Sequence, residues 1–322
     1  MGSLVTHHFL FTTEVVTPLE LDQHSGSALR GNLFQSVWER FCSNKVSPSC
    51  ADCMLHATCP VSALVAPLRE ENPRGRDIPR PYIILPPLGE TRRYEAGETL
   101  LFGVTLFGSI IQLLPYLMLS ASALEAAGLG RKLPEHRGSR GRFRIKHIEA
   151  YNPLSGLRQR LYEKGKPLVD VPTLPVSVAD VQASASQLST SRITLTFLTP
   201  TRIVEKEHLL HHAVFAPLMH RLLERLTALE EAYGEEASMT TEELWRLVEL
   251  AEQVHCVEDA TTWEELASYS NRLKRLTPIA GLLGHVTFSG DLTPFREFLL
   301  WGELIHIGKS CVKGNGWYRV ER

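Results

Sequence analysis

The chain has 322 residues, 43% of them hydrophobic and 22% charged, with a formal net charge of -2. That length suggests two domains or one large one, and the composition is that of a globular chain able to bury real cores. It excludes a mainly disordered chain, a collagen-like fibre and a small disulfide scaffold. The near-zero charge also argues against a generic basic nucleic-acid binder.

Residues 7–15 suit a strand with Phe9 and Phe11 on one face. Residues 28–41 suit a helix, with Leu29, Leu33, Val37 and Phe41 at helical spacing and Ser27 as N-cap. A loop-rich stretch, 43–79, holds three of the six cysteines, with Cys42 just before it. Strands are expected at 82–85, 100–107 and 142–148, with a helix over 109–127. The uncharged window from Thr99 to Leu124 has the length of a membrane span. Its Gly103, Gly108, Gln112 and Pro115 favour a buried strand followed by a buried helix instead. Met1–Thr13 lacks a signal-like pattern, so a cytoplasmic chain with reduced thiols and no membrane partner is expected.

Residues 152–187 are rich in Pro, Ser and Gly. A second series follows: a strand at 192–198, helices at 209–233 and 241–254, and weak strands near 264–274. A strand at 280–289, a helix at 294–305 and a strand at 317–320 close the chain. Thr240 or Thr241 with following acids is the helix-start pattern. Both halves run β-α-β-β-α-β, the second with one extra helix. Each also carries a helix, then Gly with a cation, then a Gly pair, then an aromatic-basic strand. The pattern predicts an α+β fold of tandem ferredoxin-like units. The first covers 1–150 with a Cys-rich insertion at 42–80, then comes a linker at 151–190, and the second covers 191–322.

Three patterns could carry chemistry. The first is Gly308-Lys309-Ser310-Cys311-Val312-Lys313-Gly314-Asn315-Gly316, followed by Trp317. Glycines there let a phosphate approach the backbone amides, Lys309 and Lys313 would neutralise it, and Trp317 could stack on a base. It is not a Walker loop, because a strand rather than a helix follows. The second is Cys42-x7-Cys50-x2-Cys53-x5-Cys59, a spacing suited to structural zinc or an iron–sulfur cluster, with His56 as a possible substitute ligand. The third is the stretch from Arg131 to His147, with seven Lys/Arg against the single acid Glu135. Arg131, Lys132, Arg137, Arg140 and Arg142 could track a phosphate backbone. Acids concentrate elsewhere, in 224–265, so the net charge averages two unlike regions. Among the histidines, His24 beside Gly26 and His306 beside Gly308 suit proton transfer.

Several motifs occur in one order along the chain. They are Gly26-Ser27-Ala28-Leu29-Arg30-Gly31, Cys50-x2-Cys53-x5-Cys59-Pro60, Leu106-Phe107-Gly108, Leu113-Leu114-Pro115-Tyr116 and Phe197-Leu198-Thr199-Pro200. Gly281-Leu282-Leu283-Gly284 and Gly302-Glu303-x2-His306-x-Gly308-Lys309 follow, then the final glycine pair. Together they resemble the CRISPR-associated endoribonucleases that process precursor crRNA, the Cas protein six family of the RAMP superfamily.

The resemblance implies tandem ferredoxin-like domains, binding of CRISPR repeat RNA, and cleavage without a catalytic metal. The cut would proceed by 2′-OH attack, leaving a 2′,3′-cyclic phosphate and a 5′-OH. It implies an RNA-binding role for the terminal loop, here Gly308, Lys313, Gly314, Gly316 and Trp317, beside Arg30 and the basic stretch. Ser310-Cys311-Val312-Lys313 departs from the more apolar residues common in the family. A histidine near the first strand–helix junction would be the acid or base, which points to His24, with His306 and Lys309 as further catalytic candidates. Other CRISPR-associated effector subunits are possible partners. Two other readings remain open: a non-catalytic RAMP subunit holding crRNA, and a metal-cluster regulatory or redox protein.

Overall fold

The computed structural model describes residues 4–68, 78–166, 169–235, 239–265, 267–270 and 275–321. The chain divides into two compact units. One comprises Val5–Val176 with Ala232–Gly234, and the other is built chiefly from Ser177–Glu231 and Glu235–Arg322.

In the first unit the elements run β1 (Thr6–Val15), β2 (Leu19–Leu21), α1 (Gly26–Phe41), α2 (Pro60–Val65), β3 (Tyr82–Leu85), β4 (Arg92–Tyr94) and β5 (Thr99–Phe107). They continue with α3 (Leu114–Leu119), α4 (Ala121–Ala127), β6 (Leu129–Leu133), β7 (Ser139–Gly141), β8 (Phe143–Tyr151) and β9 (Arg158–Glu163). The main sheet is antiparallel in the order β3-β5-β1-β8-β9. Without β9 this is the ferredoxin-like permutation, with β1 and β5 at the centre. Phe11 of β1 faces Phe102 of β5, and the rings stack at 4.9 Å. The α1 stripe of Leu29, Leu33 and Val37 is buried, as the 3.6-residue period requires.

The single helix expected over 109–127 is broken. A 3-10 turn (Gly108–Leu113) precedes α3, Pro115 opens α3, and Ser120 separates α3 from α4. Ser120 donates its hydroxyl to the Tyr116 carbonyl at 2.8 Å, a back-bond that bends helices. The two segments meet at 55°, and among the described residues no single helix is long and apolar enough to cross a membrane. The helix expected from residue 28 starts at Gly26, with Ser25 rather than Ser27 at its N-cap. The stretch 152–187 is more ordered than its composition suggests. β9 adds a fifth strand, and Val176 exchanges backbone hydrogen bonds of 3.1 and 2.8 Å with Thr6.

The second unit contains α5 (Val178–Ala185), β10 (Arg192–Thr201), β11 (Val204–Glu205), β12 (His208–Leu209), α6 (Phe215–Tyr233) and α7 (Thr241–Ala251). β13 (His255–Glu264), β14 (Ala267–Ser270), β15 (Arg275–Pro278), β16 (Gly281–Ser289), α8 (Arg296–Ile305) and β17 (Tyr318–Val320) complete it. Its sheet order, β13-β16-β10-β17, is the same permutation as in the first unit. Thr240 and Glu243 form the capping box of α7. The strand that pairs with β16 is β13, just upstream of the weak strands expected near 264–274, part of which lies outside the described residues. β13 is a mostly exposed edge strand, so it lacks the alternation that marks a strand in sequence.

Candidate functional site

In the first unit, β6 and β7 form a hairpin whose turn uses Arg137 and Gly138 at φ 54° and 77°. Gly130 and Gly141 let it lie against β2. A Cβ at Gly130 would sit 2.2 Å from the Glu20 carbonyl oxygen, and one at Gly141 would sit 2.3 Å from the Pro18 carbonyl oxygen. The backbone of Arg142 holds the preceding loop, accepting from the Val16 and Thr17 amides at 2.8 and 3.1 Å. A cleft of about 780 Å³ opens here, lined by Thr17, Lys132, His136, Arg137, Arg140 and Arg142 among others.

Lys132, Arg137, Arg140 and Arg142 are exposed, and none takes part in an ion pair among the described residues. Lys132 stands directly opposite Arg140 in the hairpin. Like charges so placed repel each other, and a bound polyanion relieves the repulsion. The one acid of the stretch, Glu135, is held by Arg93 at 2.7 Å. Arg131 differs from the rest, because it is committed to Glu20 at 2.7 Å and Asp22 at 2.5 Å. His136 lines the cleft, and its Nε2–H donates to the Pro18 carbonyl at 2.8 Å. The sequence reading passed over His136, although its place inside the basic stretch was a usable signal.

His24 lies in the short connection between β2 and α1, two residues after Asp22, so the Arg131–Asp22 pair ties its segment to the hairpin. Next to it, the N-terminus of α1 has no acid in its first turn and no side-chain cap. Such a helix end attracts anions. Asn32 holds α1 to the chain entering β6, donating to the Gly128 carbonyl at 2.8 Å. Arg30 is half-buried, with its guanidinium 5.3 Å from the centre of the Phe34 ring, and is not part of the exposed strip. Burial pushes the neighbouring Tyr82 hydroxyl up.

In the second unit the terminal loop differs from the open phosphate cradle expected of it. The Lys309 amide donates to Arg202 at 3.0 Å, Lys313 to Ser310 and Gly314 to Cys311 at 2.8 Å, and Gly316 to Pro200 at 3.1 Å. These amides are therefore spent inside the protein. Gly314 and Gly316 are buried and out of reach of a ligand. The loop needs Gly316 for close approach, since a Cβ there would lie 1.8 Å from the Ile307 carbonyl oxygen at a φ of 72°. A Cβ at Gly308 would likewise lie 2.4 Å from the Arg202 carbonyl oxygen.

His306 is also placed inside, at 0% exposure. It caps α8 at a φ of 61°, its Nδ1–H donates to the Asn315 carbonyl at 3.2 Å, and its ring stacks on Trp317. Arg225 donates to the carbonyls of Ile305 and His306 at 2.9 and 3.0 Å. His306 therefore orders the loop, and its ring is shut away from solvent. Trp317 is half-buried with one ring face covered by His306, Lys313 is half-buried, and Lys309 is exposed.

Cys42, Cys50, Cys53 and Cys59 line one cavity together with His56, but all four are free thiols. Among the described residues no group of three or more His, Cys, Asp or Glu side chains is arranged to hold a metal ion. The zinc or iron–sulfur ligand set expected from the spacing is thus gathered around a cavity without being drawn into coordination.

Comparison with known proteins returns the same fold and a family. Residues 4–174 match a family described as the AF_1859 N-terminal domain, and residues 195–318 match the CRISPR-associated endoribonuclease Cas6. Among solved structures, the chain is similar to Cas6 of Thermus thermophilus, at 14% identity and a TM-score of 0.54 over 100% of both chains. A Cas6 product complex gives 14% identity and a TM-score of 0.57, again over 100% of both. A partial Cas6-RT-Cas1–Cas2 complex gives 13% and 0.61, covering 99% of this chain and 46% of that one. At these identities the structures speak to the tandem ferredoxin-like fold alone. No curated protein matches the chain.

Proposed function

We propose that the chain is a Cas6-type CRISPR-associated endoribonuclease that processes precursor crRNA, as the match of residues 195–318 to that family supports, and that its first unit carries the RNA-cutting chemistry. The observation that carries this reading is the cleft beside the β6–β7 hairpin, with four exposed cations free of ion pairs among the described residues. The substrate is CRISPR repeat RNA, whose backbone the four cations neutralise. Within the second unit, Lys309 is an exposed cation and a separate candidate for RNA contact.

RNA carries its own nucleophile. The ribose 2′-oxygen attacks the adjacent phosphorus, the bond to the 5′-oxygen breaks, and the products are a 2′,3′-cyclic phosphate and a 5′-OH. A base takes the 2′-OH proton, an acid protonates the leaving oxygen, and cations stabilise the phosphorane between them. His24 is the proton-transfer residue in this scheme, and the anion-attracting start of α1 beside it favours the phosphate there. His306 is a positioning residue for the terminal loop. No cofactor enters the chemistry. A CRISPR transcript as substrate implies a cytoplasmic site of action. Other CRISPR-associated proteins fit as partners, because one structure of similar fold is a Cas6-RT-Cas1–Cas2 assembly.

The test is incubation with the repeat RNA encoded beside the gene, in EDTA. Cleavage should persist and leave cyclic-phosphate ends. His24→Ala should retain binding and lose about 10²–10⁴-fold in cleavage rate. Undiminished cleavage by His24→Ala moves the role to another group, with His136 first in line because it lines the cationic cleft. RNA binding without cleavage by the natural chain favours the non-catalytic RAMP subunit.

A further inference from the structure

The segment between α1 and α2 has the inside-out character of a chain waiting for a staple. Its apolar side chains face water: Val46 is 93% exposed, Met54 89% and Leu55 41%. The four cysteines are half-buried instead and share one cavity of about 270 Å³. Apolar burial therefore contributes little to ordering this loop, and its inward-facing groups are largely thiols.

The four thiols are held from three anchored points. Cys42 ends α1, its amide donating to the Trp38 carbonyl at 3.0 Å. Cys59 begins α2, its carbonyl accepting from Ala63 at 3.0 Å. Between them, Cys50 and Cys53 share a tight turn, the Cys53 amide donating to the Cys50 carbonyl at 3.4 Å. The Cys-x2-Cys turn and the two thiols on helix ends border one cavity, and thiolates are the donors that a tetrahedral ion such as zinc draws together.

We propose that Cys42, Cys50, Cys53 and Cys59 form a structural tetrathiolate site for one zinc ion, which draws the thiols inward and fixes the α1–α2 segment. Zinc suits the place better than an iron–sulfur cluster. Ala51, Asp52 and Met54 around the turn are exposed, so a redox cluster would stand open to oxidants, whereas a redox-inert ion would not.

The experiment is metal analysis of the purified full-length chain after gel filtration. One zinc per chain is expected. Mercurial titration should release it with about four thiols consumed per ion, matching the tetrathiolate stoichiometry. Cobalt exchange should give the intense thiolate-to-metal absorption of a tetrahedral site. Cys50→Ser with Cys53→Ser should lose the metal, while Cys256→Ser, on an exposed residue, should keep it. If the double variant does not fold, the mercurial and cobalt readouts on the natural chain decide the question. A folded chain without zinc whose four thiols react freely overturns the proposal. So does a disulfide among them, or iron with acid-labile sulfide. RNA cleavage enters none of these readouts, so failure here leaves the nuclease assignment untouched.

Discussion

The two units repeat one sequence idea, a helix followed by glycine, cation and a second glycine-bearing turn, and they use it in opposite ways. In the first unit the glycines of the β6–β7 hairpin seat it against β2 and leave Lys132, Arg137, Arg140 and Arg142 exposed and free of ion pairs among the described residues. In the second unit Gly308 and Gly316 seat the loop against backbone carbonyls, four of its amides are spent internally, and Gly314 and Gly316 are buried. Glycine next to a cation thus marks a close backbone approach in both places, but an exposed strip of several cations in only one.

The largest effect that could break this contrast lies in the loop. Gly316→Ala forces a side chain toward the Ile307 carbonyl at a left-handed φ, and should cost about 4 kcal/mol or more. Chemical denaturation measures this directly. Near-normal stability would show that the loop is not packed as described.

Acid should act on the unit that holds the hairpin. His8 in β1 is buried between the Thr6 and Thr105 hydroxyls, both at 2.9 Å. Burial, with a smaller contribution from His7, pushes it down to about 3, and burial pushes His7 down to about 4. Both folded-state values lie below the unfolded value, so the stability these histidines contribute is complete above about pH 6.5 and shrinks as the pH falls. For His8 the loss approaches about 1.4 kcal/mol per pH unit below that point. Melting at pH 7 and pH 5 measures it, and equal stability at the two would contradict a neutral buried His8.

The smallest effect sharpens the same contrast from the hairpin side. Gly138→Ala meets no atom within 4 Å and carries only the cost of its φ of 77°, about 1–2 kcal/mol. A loss comparable to that of Gly316→Ala, again by denaturation, would erase the distinction between the two turns.

Sequence alone conveyed the features set by local pattern. The α1 stripe, the Thr240–Glu243 cap and the twin β-α-β-β-α-β order follow from periodicity and capping chemistry, which need no partner. β13 stayed hidden because an exposed edge strand has no buried face to pattern its residues. The basic hairpin was legible because its cations are neighbours in the chain. The burial of His306 was not, because it depends on Arg225, Asn315 and Trp317, which reach it from other segments. Nor could the role of Gly316 be read, since phosphate binding and close packing both ask only for a missing Cβ.

The central claim is that the exposed hairpin cations hold the RNA. The direct measurement is repeat-RNA affinity against salt concentration for the natural chain and for Lys132→Ala with Arg140→Ala. Two lost phosphate contacts should flatten the log–log slope by about 1.4 and weaken binding at low salt. Folding stability should hold or rise, because the two cations oppose each other across the hairpin. An unchanged slope with unchanged affinity would contradict the assignment.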